Sequence, residues 1–151
     1  MAPAQTLVVW SDNFSLGLAE VDEQHRYLFQ LINEVWGAVI NKADGAETLR
    51  LIEELEKYTV THFTAEETFM RTTGYSQFDA HKATHAKFIA RIAQEKSSVL
   101  AGKHLSLEIL HFLRNWLIDH ILVYDKAYAD EHRQRSGQAT GLGKFFKRFA
   151  G

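Results

Sequence analysis

The chain has no cysteine in 151 residues. Disulfide staples, thiolate zinc sites and thiolate-held iron–sulfur clusters are therefore excluded, and any metal must be held by nitrogen and oxygen. There is one proline, Pro3, so nothing downstream breaks a helix by removing a backbone donor. No charge of one sign dominates. Seventeen Lys and Arg against 19 Asp and Glu give a formal net charge of -2, which makes no electrostatic case for a nucleic-acid partner. No apolar run approaches the roughly 18–20 residues of a membrane span. Residues 1–10 have only a short apolar patch and no basic region before it, so no secretory leader is expected and a cytoplasmic protein is the default.

What is present is an apolar fraction of 46%, enough for one ordinary domain with a real core. Glycines at 17, 45, 74 and 102 punctuate four segments of helical length. From about Ala19 to Ile40, Val21, His25, Leu28, Ile32, Val35 and Val39 alternate in steps of four and three, which is one helix face. Asp44 with Glu47 forms a capping pattern for a second helix whose face is Ile52, Leu55, Thr59, His62, Glu66 and Phe69. Ser76 with Asp79 forms another, before Phe78, His81, His85, Phe88 and Ile92. A fourth helix is expected to begin near His104 or Leu105, with Leu110, Leu113, Leu117, Tyr124 and Tyr128 inward. No strand alternation competes. Short loops imply antiparallel neighbours, so the expected fold is all-α, an antiparallel up-down-up-down four-helix bundle. The first 18 residues are expected to lie across it as an arm anchored by Trp10 and Phe14. The expected division is residues 1–136 for bundle and arm, and 137–151 for a tail.

Five of the eight histidines fall on these inward faces, together with two carboxylates. They are His25, His62 with Glu66, His81 with His85, and His120 with Asp125. The i, i+4 pairs each place both members on one face, one turn apart. His120 and Asp125 are five apart, an angle of about 140° on an α-helix, so they are expected to flank the stripe with Tyr124 between them. That spread serves two adjacent metals better than one. Five imidazoles and two carboxylates suit mid-row divalent metals such as iron, whereas calcium and magnesium prefer oxygen shells. With both carboxylates bridging, the set offers about nine contacts, against about eleven for two octahedral metals sharing an oxo or hydroxo bridge. The shortfall leaves an open position for a small ligand. Leu28, Phe63, Trp116, Leu117, Ile121 and Tyr124 are the bulky neighbours expected to wall that position and keep water out. His104, His111 and His132 read as surface residues, His132 favoured by a helix C-terminus.

Four motifs together resemble the hemerythrins, in particular the single-domain bacterial kind. They are Val21-Asp22-Glu23-Gln24-His25, His62-Phe63-Thr64-Ala65-Glu66-Glu67, His81-Lys82-Ala83-Thr84-His85, and Trp116-Leu117-Ile118-Asp119-His120 followed by Asp125. The resemblance implies a non-haem di-iron centre in a four-helix bundle. His81, His85 and His120 would hold one iron, His25 and His62 the other, and Glu66 and Asp125 would bridge the two. Dioxygen would bind reversibly at the open position of the two-histidine iron, for storage, transport or delivery. The resemblance thus implies a binding protein rather than an enzyme. Two alternatives stay open: a di-iron redox enzyme handling peroxide or nitric oxide, and an oxygen- or iron-sensing module.

In the tail, Leu142, Phe145, Phe146 and Phe149 recur at helical spacing among Lys144, Lys147 and Arg148. The 142–149 segment reads as a short basic amphipathic helix, suited to docking on an anionic membrane surface or a partner protein, or to folding back on the bundle.

Overall fold

The computed structural model describes residues 6–17 and 19–136. The expected 137–151 tail helix lies outside them. The described residues form helices and no strand: a single 3-10 turn (Asp12–Phe14), then α1 (Ala19–Ile40), α2 (Gly45–Thr73), α3 (Phe78–Leu100) and α4 (Leu107–Asp119). A π-helical turn, His120–Asp125, joins α4 to α5 (Lys126–Ser136) without a break, so the last three elements make one long rod. Packing runs α1 on α2, α2 on α3, α3 on α4 and α4 back on α1. That closed ring of neighbours is an antiparallel four-helix bundle, as the short loops predict. Among the described residues, no helix is long and apolar enough to cross a membrane.

The helix ends show why these segments stop where they do. The Asp44 side chain accepts from the Glu47 N–H at 2.9 Å and caps α2, and Gly74 closes it in the left-handed region at φ 70°. The start of α3 differs from the capping pattern in the sequence. Gln77 is the cap residue and makes no side-chain cap bond. The Ser76 hydroxyl and N–H go instead to the Glu131 carboxylate on α5. α4 also begins later than expected, because the Ser106 hydroxyl accepts from the Ile109 N–H at 3.3 Å and fixes the start at Leu107.

The core runs the length of the bundle. Leu28, Ile32 and Val35 of α1 meet Ile52 and Leu55 of α2, Phe88 and Ile92 of α3, and Ile109, Leu110 and Leu113 of α4, all essentially inaccessible. Burying one such side chain stabilises by about 1.5–3 kcal/mol, so this column is the main source of stability. The arm docks as expected. Trp10, Phe14 and Phe29 form a ring cluster with centroids 5.2–5.6 Å apart. The Asn33 side-chain amide pairs with the arm backbone, accepting from Leu7 and Val8 N–H and donating to Val8 O.

Candidate metal centre

Each side of the bundle sends buried imidazoles or carboxylates to one level. α1 contributes His25, α2 His62 and Glu66, α3 His81 and His85, and the π turn His120 and Asp125. All seven are at most 3% exposed. The seven candidates from the sequence therefore all come together, and none of the other three histidines joins them.

The π turn corrects the expected position of Asp125. In an α-helix, a residue five on from His120 would point well off the stripe. An i→i+5 turn places residue i+5 nearly above residue i, as i→i+4 does in an α-helix. Asp125 Oδ1 thus lies 3.1 Å from His120 Nε2, on the same face. The turn also moves Tyr124 outward. Expected on the inward stripe, it is 39% exposed and lays its ring over His120, with centroids 5.5 Å apart.

The donor atoms fall into two overlapping sets. One contains Glu66, His81, His85, His120 and Asp125; the other contains His25, His62, Glu66 and Asp125. Within the first, the close separations are 3.0 Å for His81 Nε2 to His120 Nε2, 2.9 Å for His85 Nε2 to His120 Nε2, 3.2 Å for His81 Nε2 to Asp125 Oδ1 and 3.1 Å for His85 Nε2 to Glu66 Oε1. Two ligands at right angles on a metal about 2.1 Å away lie about 3.0 Å apart, so these spacings match the edge of a coordination octahedron. In the second set, His25 Nε2 is 3.1 Å from Asp125 Oδ2 and His62 Nε2 is 3.5 Å from Glu66 Oε2.

The hydrogen bonding fits a metal better than it fits a protein core. His25 Nε2, Glu66 Oε1 and both Asp125 oxygens are buried and make no hydrogen bond among the described residues, although each has a partner of opposite type within about 3.2 Å. Such groups are costly to bury unless something else satisfies them. They converge on shared points instead of pairing with one another, which is how ligands are arranged around a cation.

The outward nitrogens are held by residues that the sequence patterns alone do not single out. His62 Nδ1 donates to Gln24 Oε1, and His85 Nδ1 donates to Glu67 Oε2 at 2.9 Å. The Thr84 hydroxyl gives its proton to the His81 carbonyl at 2.6 Å, so its oxygen accepts from His120 Nδ1 at 3.2 Å. Each of these acceptors favours the neutral tautomer with its proton on Nδ1, which turns Nε2 toward the centre as the ligand atom. The signal was adjacency: Gln24 precedes His25, Glu67 follows Glu66 and Thr84 precedes His85. Tyr128, expected only as an apolar inward residue, donates its hydroxyl to Glu66 Oε2 at 2.8 Å.

Electrostatics favour ionised carboxylates here. Burial raises the Asp125 pKa, but His120, His25 and His81 hold it well below its usual range. Glu66 is likewise held low: burial and Asp125 oppose this, and His62 and His85 prevail. Burial lowers His85, yet Glu66 and Glu67 push it up to about 9. His25 is also raised, Asp125 overriding its burial. His120 is lowered by burial. A divalent cation would take the place of the protons on the raised imidazoles.

Of the expected apolar wall, Leu28, Phe63, Leu117 and Ile121 are buried core residues. Phe63 stacks on His85 at 3.7 Å, and half-buried Trp116 stacks on the face of His120 at 4.4 Å. His120 thus lies between Trp116 and Tyr124, the residues four before and four after it. His104 and His111 are exposed, as expected. His132 is not a free surface group: its ring packs on Phe69 at 4.9 Å, and burial with Arg135 and Arg133 lowers its pKa, opposite to the expected dipole effect.

Comparison with known proteins agrees with this site. Residues 16–131 match the hemerythrin HHE cation binding domain. The chain is 36% identical to a bacteriohemerythrin of Stenotrophomonas maltophilia, over 96% of this chain and 99% of that one. It is 29% identical to a hemerythrin from Sipunculus nudus, over 83% of this chain and 94% of the other. A crystal structure of wild-type hemerythrin superposes with a TM-score of 0.76 at 31% identity, covering 81% of this chain and 95% of that one. With the domain match spanning most of the bundle and a near full-length relative above the identity at which family is secure, the chain belongs to the hemerythrin family.

Proposed function

We propose that this chain binds dioxygen reversibly at a non-haem di-iron centre, as a cytoplasmic oxygen store or carrier and not as an enzyme. His81, His85 and His120 would hold one iron, His25 and His62 the other, with Glu66 and Asp125 shared. The observation that carries the reading is the inequality of the two donor sets, five residues against four with both carboxylates in common. The poorer set leaves room for a diatomic ligand beside His25 and His62. Two irons, when bound, supply the electrons that make dioxygen binding reversible.

The chain's own residues do the rest. Glu66 and Asp125 fix the spacing of the two positions. Gln24, Glu67 and Thr84 hold three imidazoles by Nδ1, so that no ring must turn to present Nε2. Tyr128 steadies the Glu66 oxygen that faces it. Leu28, Phe63, Leu117 and Ile121 exclude water, which favours release of the ligand unchanged over its loss in reduced form. A nitrogen-rich shell also contrasts with the carboxylate-rich shells of bundle proteins built on Glu-x-x-His pairs.

The test is anaerobic reduction of the iron-loaded chain followed by air, read in the visible spectrum alongside iron content. Two irons per chain and a charge-transfer band that appears in air and vanishes under argon are expected. Irreversible oxidation would replace the carrier with a redox enzyme or sensor. Fewer than one metal per chain would overturn the ligand set. Docking of the 142–149 segment to an anionic surface is a separate proposal: deleting residues 138–151 is expected to abolish liposome association, and unchanged association overturns it.

A further inference from the structure

At the end of the bundle away from the candidate metal centre, the α1–α2 and α3–α4 loops line a solvent-open cavity of about 500 Å³. It lies 14 residues up α1 from His25, about 20 Å along the axis. Its volume is within the range of small-molecule sites. The walls are Ala38, Val39, Val99 and Leu105, continuous with the main core. Thr48, only 8% exposed, adds a hydroxyl. The charged lining residues are Lys42 and Lys103, with His104 beside them, and no carboxylate lines the cavity. Among the described residues, neither lysine has an ion-pair partner.

The backbone places these lysines at some cost. α1 and α3 end in the same turn. Lys42 N–H bonds Val39 O at 3.2 Å and Ala43 N–H bonds Ala38 O at 2.9 Å; Gly102 N–H bonds Val99 O and Lys103 N–H bonds Ser98 O, both at 3.0 Å. Each turn needs one residue in the left-handed region. In α3 that residue is Gly102, at φ 89°, the usual choice. In α1 it is Lys42, at φ 54°, which an L side chain adopts with strain. Both lysines follow helix C-termini, whose partial negative charge offsets their full charges only in part. What is left is a largely apolar cavity whose cationic rim has no carboxylate among its lining residues.

We propose that this cavity binds an amphiphilic monoanion, a medium-chain fatty carboxylate, with its chain among Ala38, Val39, Val99 and Leu105 and its carboxylate between Lys42 and Lys103. The inference is independent of the di-iron reading. The test is isothermal titration of the full-length, iron-loaded chain with decanoate below its micelle concentration, in parallel with decylammonium. Saturable one-to-one binding of decanoate, no binding of decylammonium, and an unchanged iron spectrum are expected. Lys42→Gly restores the glycine form of the turn, so it is expected to raise the melting temperature while weakening decanoate binding; with Lys103→Gln added, the loss is about ten-fold or more. No saturable uptake overturns the proposal, as does equal binding of decylammonium or affinity unmoved in the double variant. A spectral change on binding overturns it too, because the carboxylate would then be at the metal centre.

Discussion

Tyr128→Phe isolates one hydrogen bond whose value depends on what else satisfies its acceptor. The Tyr128 ring is 1% exposed and its hydroxyl donates to Glu66 Oε2 at 2.8 Å, while Glu66 is wholly buried. Phenylalanine keeps the ring and its packing on Phe69, so no cavity is made and the change is confined to the hydroxyl. A buried hydrogen bond to a charged acceptor is worth about 1.5–3 kcal/mol. In metal-free protein the only other close polar atom is His62 Nε2 at 3.5 Å, which in the neutral tautomer set by Gln24 has no proton to give, so nearly the whole value is lost. For a chain of this size, about 2 kcal/mol lowers the melting temperature by about 4–8 °C. In iron-loaded protein the same oxygen faces a cation, and the loss should fall to about 1 kcal/mol or less. Because the variant weakens the metal-free state more, linkage requires it to bind iron more tightly relative to its own unliganded form. Thermal and urea unfolding of both forms of wild type and variant measure all four corners. Equal losses with and without iron, or no loss in either, would refute the assignment of this bond to a metal-bridging carboxylate.

The shared carboxylates make a second contrast. Glu66→Ala removes a donor from both sets and is expected to leave less than one iron per chain, whereas His62→Ala touches one set and should leave about one; retention of two irons in Glu66→Ala, by metal analysis, overturns the bridging role. Deleting Val123, which is 59% exposed in the π turn, should convert that turn to α-helix with Asp125 still facing the site, so two irons are retained and loss of one refutes the geometry. Leu117→Ala opens the apolar wall and is expected to speed autoxidation of the oxygenated protein; an unchanged rate in the visible spectrum removes Leu117 as a gate.

How far the sequence carried is clearest along the last helix. Leu110, Leu113 and Leu117 fit one stripe, and Tyr124, seven beyond Leu117, continues it on paper. A hydrophobic template cannot register a π turn, because one widened turn shifts the phase without changing composition. The sign that something differed was the five-residue gap between His120 and Asp125, against four in the other pairs. α1 was legible because its stripe is unbroken and Gly17 precedes it, although Lys42 and not glycine closes its C-terminal turn. The start of α3 was not, since Ser76 reads as a cap on paper and only the proximity of α5 gives its hydroxyl to Glu131 instead. The seven candidate ligands were legible as histidines and carboxylates on apolar faces. Gln24, Glu67 and Thr84 were not, because a polar residue one step from an inward ligand looks like any boundary residue until a partner helix arrives.

His25 and Asp125 touch across 100 residues of chain, and each stands near one end of the bundle's sequence. During synthesis, His25, His62, Glu66, His81 and His85 are made long before the π turn, and they have no fourth helix to close against. A ribosome-bound chain therefore offers an incomplete ligand set in an open three-helix segment, and the ring of helices closes only after Asp125 has cleared the exit tunnel. The order in which the candidate ligand set is completed is thus set by where its last carboxylate lies along the chain.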